Sequence, residues 1–130
     1  MAAKFIESNL TDKKDILRIT TRDDAVSMKT LDNGTQINVV AYVVQEITKD
    51  YNLVDDDEPE VFESIMVLDD QGRLFATRSD TFIRKIHEIV DLFRDPDTGA
   101  FPDMKADPIP IKITRQTARS GREFVSCCYA

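Results

Sequence analysis

The sequence predicts an all-β domain with one helix, and three observations carry this prediction. Residues 35–47 form one long β-branched run. Two later pairs of short apolar runs are each joined by a glycine-containing turn, and one amphipathic segment separates the pairs. The chain has 130 residues, of which 42% are hydrophobic. That length and that apolar content suit one domain with one core.

Residues 1–34 predict an irregular lead-in to a domain at residues 35–130. Within the lead-in, residues 12–17 predict a short helical turn with Thr11 as its N-cap. Residues 25–29 alternate apolar and polar side chains, which is typical of a short strand.

The long run at residues 35–47 predicts the first strand of the domain. Strict alternation assigns Ile37, Val39, Ala41, Val43 and Ile47 to one face and Val40, Tyr42 and Val44 to the other. Because both faces are apolar in the middle, we expect a central strand, or one that curves to serve two sheet surfaces.

The remaining elements follow in order after an acidic loop. Residues 61–68 and 73–78 predict a hairpin that turns at Gly72, and Ser79 is a good N-cap for a helix that runs to Phe93. Apolar residues recur along that segment at helical spacing. Residues 109–116 and 122–129 predict a closing hairpin.

This order of elements is that of the OB-fold, a five-stranded barrel with its helix between strands 3 and 4. The second and third strands of such a barrel, and its first and last long loops, form the ligand face. An open α+β sheet with one packed helix is the alternative, because sequence alone does not distinguish a closed barrel from an open sheet.

The composition narrows the class of protein. Acidic residues outnumber Lys and Arg by 24 to 17, which gives a net charge of −7 and argues against a generally basic nucleic-acid coat, though not against a local basic groove. No apolar run approaches the roughly 18 residues that a membrane span needs. The first residues also lack the pattern of a signal peptide. We therefore expect a soluble, cytoplasmic protein.

The residues that usually carry catalysis or hold metals are scarce. The two cysteines, Cys127 and Cys128, are neighbours, and the single histidine, His87, lies within the predicted helix. The carboxylates show neither the spacing of an EF-hand nor that of a carboxylate-metal nuclease. The sequence therefore predicts no enzyme, no cofactor and no metal site.

The charges are segregated along the chain. Residues 46–70 carry ten acidic side chains and one lysine, whereas residues 109–130 carry four basic side chains and one acidic one. On the predicted third strand, Arg73, Phe75 and Thr77 share a face, so that a cation and a ring point the same way. A single-strand binder needs such a combination, because phosphates require cations and bases stack on rings.

Three stretches carry a resemblance to a known family. They are residues 31–35 before the long strand, residues 68–79 from the first hairpin into the helix, and the last hairpin with residues 111–114 and 120–125. Together they resemble small phage-encoded single-stranded DNA-binding proteins of the replication accessory type. The resemblance implies an OB-fold, sequence-tolerant binding of single strands, no cofactor, and a role in DNA replication or recombination.

The candidate nucleic-acid-binding residues comprise four aromatic and six basic side chains. They are Tyr42, Tyr51, Phe62, Phe75, Arg73, Arg78, Lys112, Arg115, Arg119 and Arg122. By strand alternation alone, Tyr42, Phe62 and Phe75 are either core residues or stacking residues. The hairpin tip with Arg119 and Arg122 is either part of the binding site or an ordinary solvated turn.

The expected partners are single-stranded DNA, replication proteins and, in a homo-oligomer, further copies of the chain. The alternative function is an OB-like protein–protein interaction module that uses the acidic loop at residues 55–60 and an exposed strand edge. Such a module would not bind oligonucleotides.

Overall fold

A computed structural model describes residues 2–49 and 60–130. The elements are β1 (Ala2–Ser8), α1 (Lys13–Thr20), β2 (Val26–Ser27), a 3₁₀ turn (Met28–Thr30), β3 (Gln36–Lys49), β4 (Glu60–Asp69), β5 (Leu74–Thr77), α2 (Asp80–Phe93), β6 (Ile109–Thr117) and β7 (Glu123–Tyr129). The five predicted strands and the predicted helix are present as β3, β4, β5, α2, β6 and β7. None of the helices within the described residues is long and apolar enough to cross a membrane.

The strands form one curled sheet in the order β2-β5-β4-β3-β6-β7. Strand β1 pairs with the second half of β3, beside β6, which pairs with the first half. Within the described residues no strand pairing joins β7 to β2 or β5, so the sheet is an open half-barrel. The prediction of a closed five-stranded barrel with one helix was therefore wrong, although the arrangement is broadly OB-like.

The region before residue 35 contributes ordered elements that the sequence analysis did not predict. Strand β1 was missed, and the helical turn is a two-turn helix whose N-cap is Asp12 rather than Thr11. The Asp12 side chain accepts a hydrogen bond from the Lys14 backbone N–H, which satisfies one of the unpaired donors at the helix start.

A β-bulge at Val40 changes which residues of β3 share a face. Val39 pairs with Asp69 and Ala41 pairs with Leu68, so Val40 is the extra residue on the β3 side. Before the bulge, Ile37 and Val39 face the main core. After it, Tyr42 and Val44 do so. The predicted alternation was wrong beyond Val40 because it assumed an unbroken period of two.

Asn9 stabilises the bulged segment. Its Nδ2 donates to the Val40 carbonyl at 3.2 Å, and its Oδ1 accepts from the Tyr42 N–H at 2.9 Å. These backbone groups lie between the parts of β3 that pair with β6 and with β1. The Asn9 amide thus replaces the ladder hydrogen bonds that neither neighbouring strand supplies.

Strand β3 is buried on both faces, as the sequence predicted for a central strand. One face packs in the main core with α2, through residues that include Phe82, Ile86 and Val90. The opposite face packs in a smaller core beneath α1, where Ile19 lies with Ala41, Val43 and Leu74. We call the α1 side of the sheet its outer face.

Ser79 connects the end of β5 to β7 across the opening of the half-barrel. Its Oγ accepts from the Phe82 N–H at 3.3 Å, as an N-cap does, and donates to the Val125 carbonyl at 2.5 Å. Helix α2 contacts β7 extensively. A side chain and a helix therefore occupy the position where strand pairing would close a barrel.

We expect Asn9→Ala to lower the free energy of unfolding by about 2 kcal/mol, because it leaves two partly buried backbone groups without partners. The measurement is the midpoint of urea unfolding at unchanged m-value. Gln36→Ala is the control, since the exposed Gln36 amide bonds only to the Asn38 side chain. An Asn9→Ala midpoint equal to that of the control would contradict the proposed role of Asn9.

We expect Ser79→Ala to lower the free energy of unfolding by about 1–2 kcal/mol, because it removes the α2 N-cap and the bond to β7. Thermal unfolding measures the change. Ser120→Ala, at the exposed tip of the β6–β7 hairpin, is the matched control and should stay within about 0.5 kcal/mol of the unsubstituted protein. Equal melting of the two variants would show that the cap is unimportant.

Candidate nucleic-acid interface

A groove runs along the opening of the half-barrel, from the start of β4 and the end of β5 to the start of β7. Its largest part has a volume of about 430 Å³ and is continuous with two smaller hollows, all three lined by Lys29. The charged and aromatic side chains that line this groove are Lys29, Glu60, Phe62, Arg78, Asp80, Arg115, Arg122, Glu123 and Phe124.

The 3₁₀ turn places Lys29 at the middle of the groove. Met28 is completely buried in the main core, so the turn is anchored in the opening between β5 and β7. The Ser27 hydroxyl accepts from the Lys29 N–H and caps the turn. With Met28 directed inward, the adjacent Lys29 side chain is exposed.

Two half-buried phenylalanines lie in the groove. Phe62 is on the outer face of β4, and the Arg78 guanidinium carbon lies 4.9 Å from the centroid of its ring, within the range of a cation–π interaction. Phe124 is on β7, next to the core residue Val125. Because neighbouring residues of a strand point to opposite faces, burial of Val125 directs Phe124 away from the core.

Two of the four groove cations are paired with carboxylates. Arg78 lies 3.5 Å from Glu60, and Arg115 lies 3.5 Å from Glu123. Among the described residues, Lys29 and Arg122 form no ion pair. Half-exposed ion pairs contribute little stability, so a phosphate is able to replace either carboxylate at small cost.

The N-terminus of α2 forms one wall of the groove, at Ser79, Asp80 and Thr81. The Ser79 hydroxyl satisfies only the Phe82 N–H. The other N–H groups of the first turn lack intrahelical acceptors and lie at the positive end of the helix dipole. Asp80 partly offsets this positive potential.

Four of the ten predicted site residues lie in this groove. They are Phe62, Arg78, Arg115 and Arg122, which come from β4, the end of β5, β6 and the start of β7. Arg115 also holds the segment before β3 in place, since its Nη1 donates a hydrogen bond to the Leu31 carbonyl at 3.0 Å.

Two of the candidate aromatic residues, Tyr42 and Phe75, lie in the core, which is one of the two positions that strand alternation left open for them. Tyr42 is 1% exposed and packs near His87 and Phe101. Burial, together with the negative charges of Glu7 and Asp91, raises the pKa of the Tyr42 hydroxyl. Phe75 is 5% exposed and lies in the same core. A base cannot stack on either ring while the core is intact.

Three predicted basic residues lie away from the groove. Arg73 is held at the β4–β5 turn, where its Nε donates to the buried carboxylate of Asp69 at 2.7 Å. Lys112 is exposed on β6, and Arg119 is exposed in the turn before β7; neither is among the described residues that line the groove. Tyr51 and most of the acidic loop, residues 55–59, lie outside the described residues.

Sequence reasoning missed Lys29 and Phe124. The alternation in residues 123–127 contained a signal for Phe124, because it separates Phe124 from Val125 and Cys127. The sequence contained no comparable signal for Lys29. Its position depends on the burial of Met28 against elements distant in the chain.

The structure offers little for thiol or metal chemistry. Burial raises the pKa of the Cys127 thiol to about 12, so this thiol remains protonated and unreactive at neutral pH. Cys128 is exposed, on the opposite face of β7. Within residues 2–49 and 60–130, no three His, Cys, Asp or Glu side chains form a cluster able to hold a metal ion.

Comparison with known proteins agrees with the character of the groove. A search among curated proteins and among solved structures gives no significant match. The sequence model of the phage single-stranded DNA-binding protein family, of the Phi29 type, matches residues 9–128, nearly the whole chain. The chain therefore belongs to the phage single-stranded DNA-binding protein family.

Proposed function

We propose that this protein binds single-stranded DNA along the groove, without sequence preference, and that it does so in phage DNA replication. The observation that carries the proposal is the combination of two half-buried rings, Phe62 and Phe124, with four cations in one groove. Family membership supports the ligand. The replication role is what the resemblance of the sequence implies.

The groove suits a single strand for physical reasons. Every base has a π-face, so stacking on a phenylalanine is favourable whatever the sequence, at about 1–3 kcal/mol per base. The cations of the groove suit the phosphates of the backbone, which are the same whatever the base sequence. Binding therefore depends on rings and charge, and it should tolerate any sequence.

The cations have separable tasks in this proposal. Lys29 and Arg122, which are unpaired among the described residues, contact phosphates directly. Arg78 and Arg115 exchange Glu60 and Glu123 for phosphate oxygens. The first pair should therefore contribute more to affinity than the second, because no ion pair has to be broken.

We expect Lys29→Ala and Arg122→Ala each to flatten the dependence of affinity on salt. The slope of log K against log salt concentration is negative, and each phosphate that is no longer neutralised should lower its magnitude by about 0.7. Fluorescence anisotropy of labelled oligo(dT), titrated at several salt concentrations, measures this slope. Duplex DNA is the comparison ligand.

The chain offers matched controls for both substitutions. Lys112→Ala and Arg119→Ala remove the same charges outside the groove and should leave the slope nearly unchanged. Equal slopes for groove and control variants would place the DNA elsewhere. Absence of salt-sensitive binding to oligo(dT) by the unsubstituted protein would refute the proposed function.

We expect Phe62→Leu and Phe124→Leu each to weaken oligo(dT) binding by about 1–3 kcal/mol, because leucine fills the space but offers no π-face. The salt slope should not change, since no charge is removed. Phe93→Leu, at a half-exposed ring at the end of α2, is the control. If all three variants bind like the unsubstituted protein, base stacking in the groove is disproved.

A further inference from the structure

The outer face of the sheet is covered by α1 over only half of its length. The helix packs on Ala41, Val43 and Leu74, in the half near the β4–β5 turn. In the other half, toward the far ends of β3 and β4, the ring of Phe5 on β1 is 50% exposed. Exposed single phenylalanines are common, so the surroundings of Phe5 decide what it signifies.

The strand registers place Phe5 and Phe62 on the same face. Phe62 pairs with Ile47, and Ile47 pairs with Ala3. Directly paired residues project to the same side, and so do residues two apart in one strand. Phe5, two residues from Ala3, therefore projects to the side of Phe62. The positions of Phe5 and Phe62 differ by two strands across the sheet and by two residues along the strand direction, which corresponds to about 12 Å.

The described residues between these two rings are uncharged. The outer-face residues that connect them are Gln45 and Ile47 on β3 and Ser64 on β4. The neighbouring acids Glu46 and Glu63 pair with each other across the strands and project to the opposite face. Among residues 2–49 and 60–130, a phosphate backbone that crosses the sheet here meets no carboxylate between Phe62 and Phe5.

A second bulge fixes the orientation of Phe5. Phe5 pairs with Gln45 and Glu7 pairs with Val44, so Ile6 is an extra residue in β1. The Glu7 side chain therefore faces α2, where its Oε2 lies 2.7 Å from His87 Nε2. This contact ties β1 to the helix and leaves Phe5 on the outer face.

We propose that Phe5 is a further base-stacking residue and that the single strand continues from the groove, past Arg78 and Phe62, across β3 to β1. This extension rests on the proposed function. It predicts that long oligonucleotides contact Phe5. Short oligonucleotides, near the lower end of the site sizes of about 4–16 nucleotides for such domains, occupy only the groove and do not reach Phe5.

The chain contains no tryptophan, so a single introduced tryptophan is a unique fluorescent reporter. We expect the emission of Phe5→Trp to be quenched on titration with a long oligo(dT), with the same midpoint as the anisotropy of the labelled DNA. Phe93→Trp is the matched control, because Phe93 is 45% exposed and lies at the far end of α2. Its emission should change little.

Affinity supplies a second measurement. Phe5→Ala should weaken binding of the long oligonucleotide by about five- to tenfold and leave binding of the short one unchanged, as one stacked base predicts. Phe93→Ala should alter neither. If the unsubstituted protein binds but the emission of Phe5→Trp is not quenched, the extension is overturned. Equal affinities of Phe5→Ala and Phe93→Ala for the long oligonucleotide would overturn it as well. Loss of binding by the unsubstituted protein would overturn the proposed function itself.

Discussion

Strand β3 has to bury apolar side chains on both faces while β4, β6 and β1 share its two edges, and the bulge at Val40 makes this possible. Odd-numbered residues before the bulge, Ile37 and Val39, and even-numbered residues after it, Tyr42 and Val44, all face the main core because of the extra residue. The bulge also leaves backbone groups that neither β6 nor β1 pairs, and the Asn9 amide binds them. The main core, the smaller core under α1 and the position of β1 all depend on this local irregularity.

The groove is a consequence of the sheet remaining open. Because β7 does not pair with β5, the opening is filled by α2, by the Ser79 bridge and by the 3₁₀ turn that Met28 anchors. Each of these elements presents polar or cationic groups outward, whereas a ladder of backbone hydrogen bonds would have closed the surface. The groove is therefore formed where regular strand pairing ends, as is common for functional loops on a rigid scaffold.

Local patterns in the sequence were sufficient to predict the strands and the long helix, including the N-cap at Ser79 and the turn at Gly72, whose φ is 78°. They were insufficient to predict β1 or to predict which aromatic side chains point into the core. Tyr42 and Phe62 looked equivalent by alternation, yet the first is core and the second lines the groove. A bulge reverses alternation without changing composition, and the pairing partners that cause it are remote in sequence. Lys29 was unpredictable for the same reason, because its exposure follows from the tertiary packing of Met28.

A net charge of −7 does not exclude a polyanion as ligand, because the charges are unevenly distributed along the chain and over its surface. Glu63, Glu88 and Asp91, with one cation, Arg84, line a hollow between β4 and α2, on the side away from the outer face. At physiological ionic strength the Debye length is about 8 Å, so the field of these carboxylates is largely screened across the sheet, whereas a cation such as Lys29 or Arg122 acts at contact distance on any anion in the groove. Of the three acids in the groove, Asp80 lies at the N-terminus of α2, whereas Glu60 and Glu123 are ion-paired with Arg78 and Arg115 and hold these cations in place. Net charge thus says little about the ligand, and the local arrangement of cations and rings is the better guide to a surface that suits a nucleic acid.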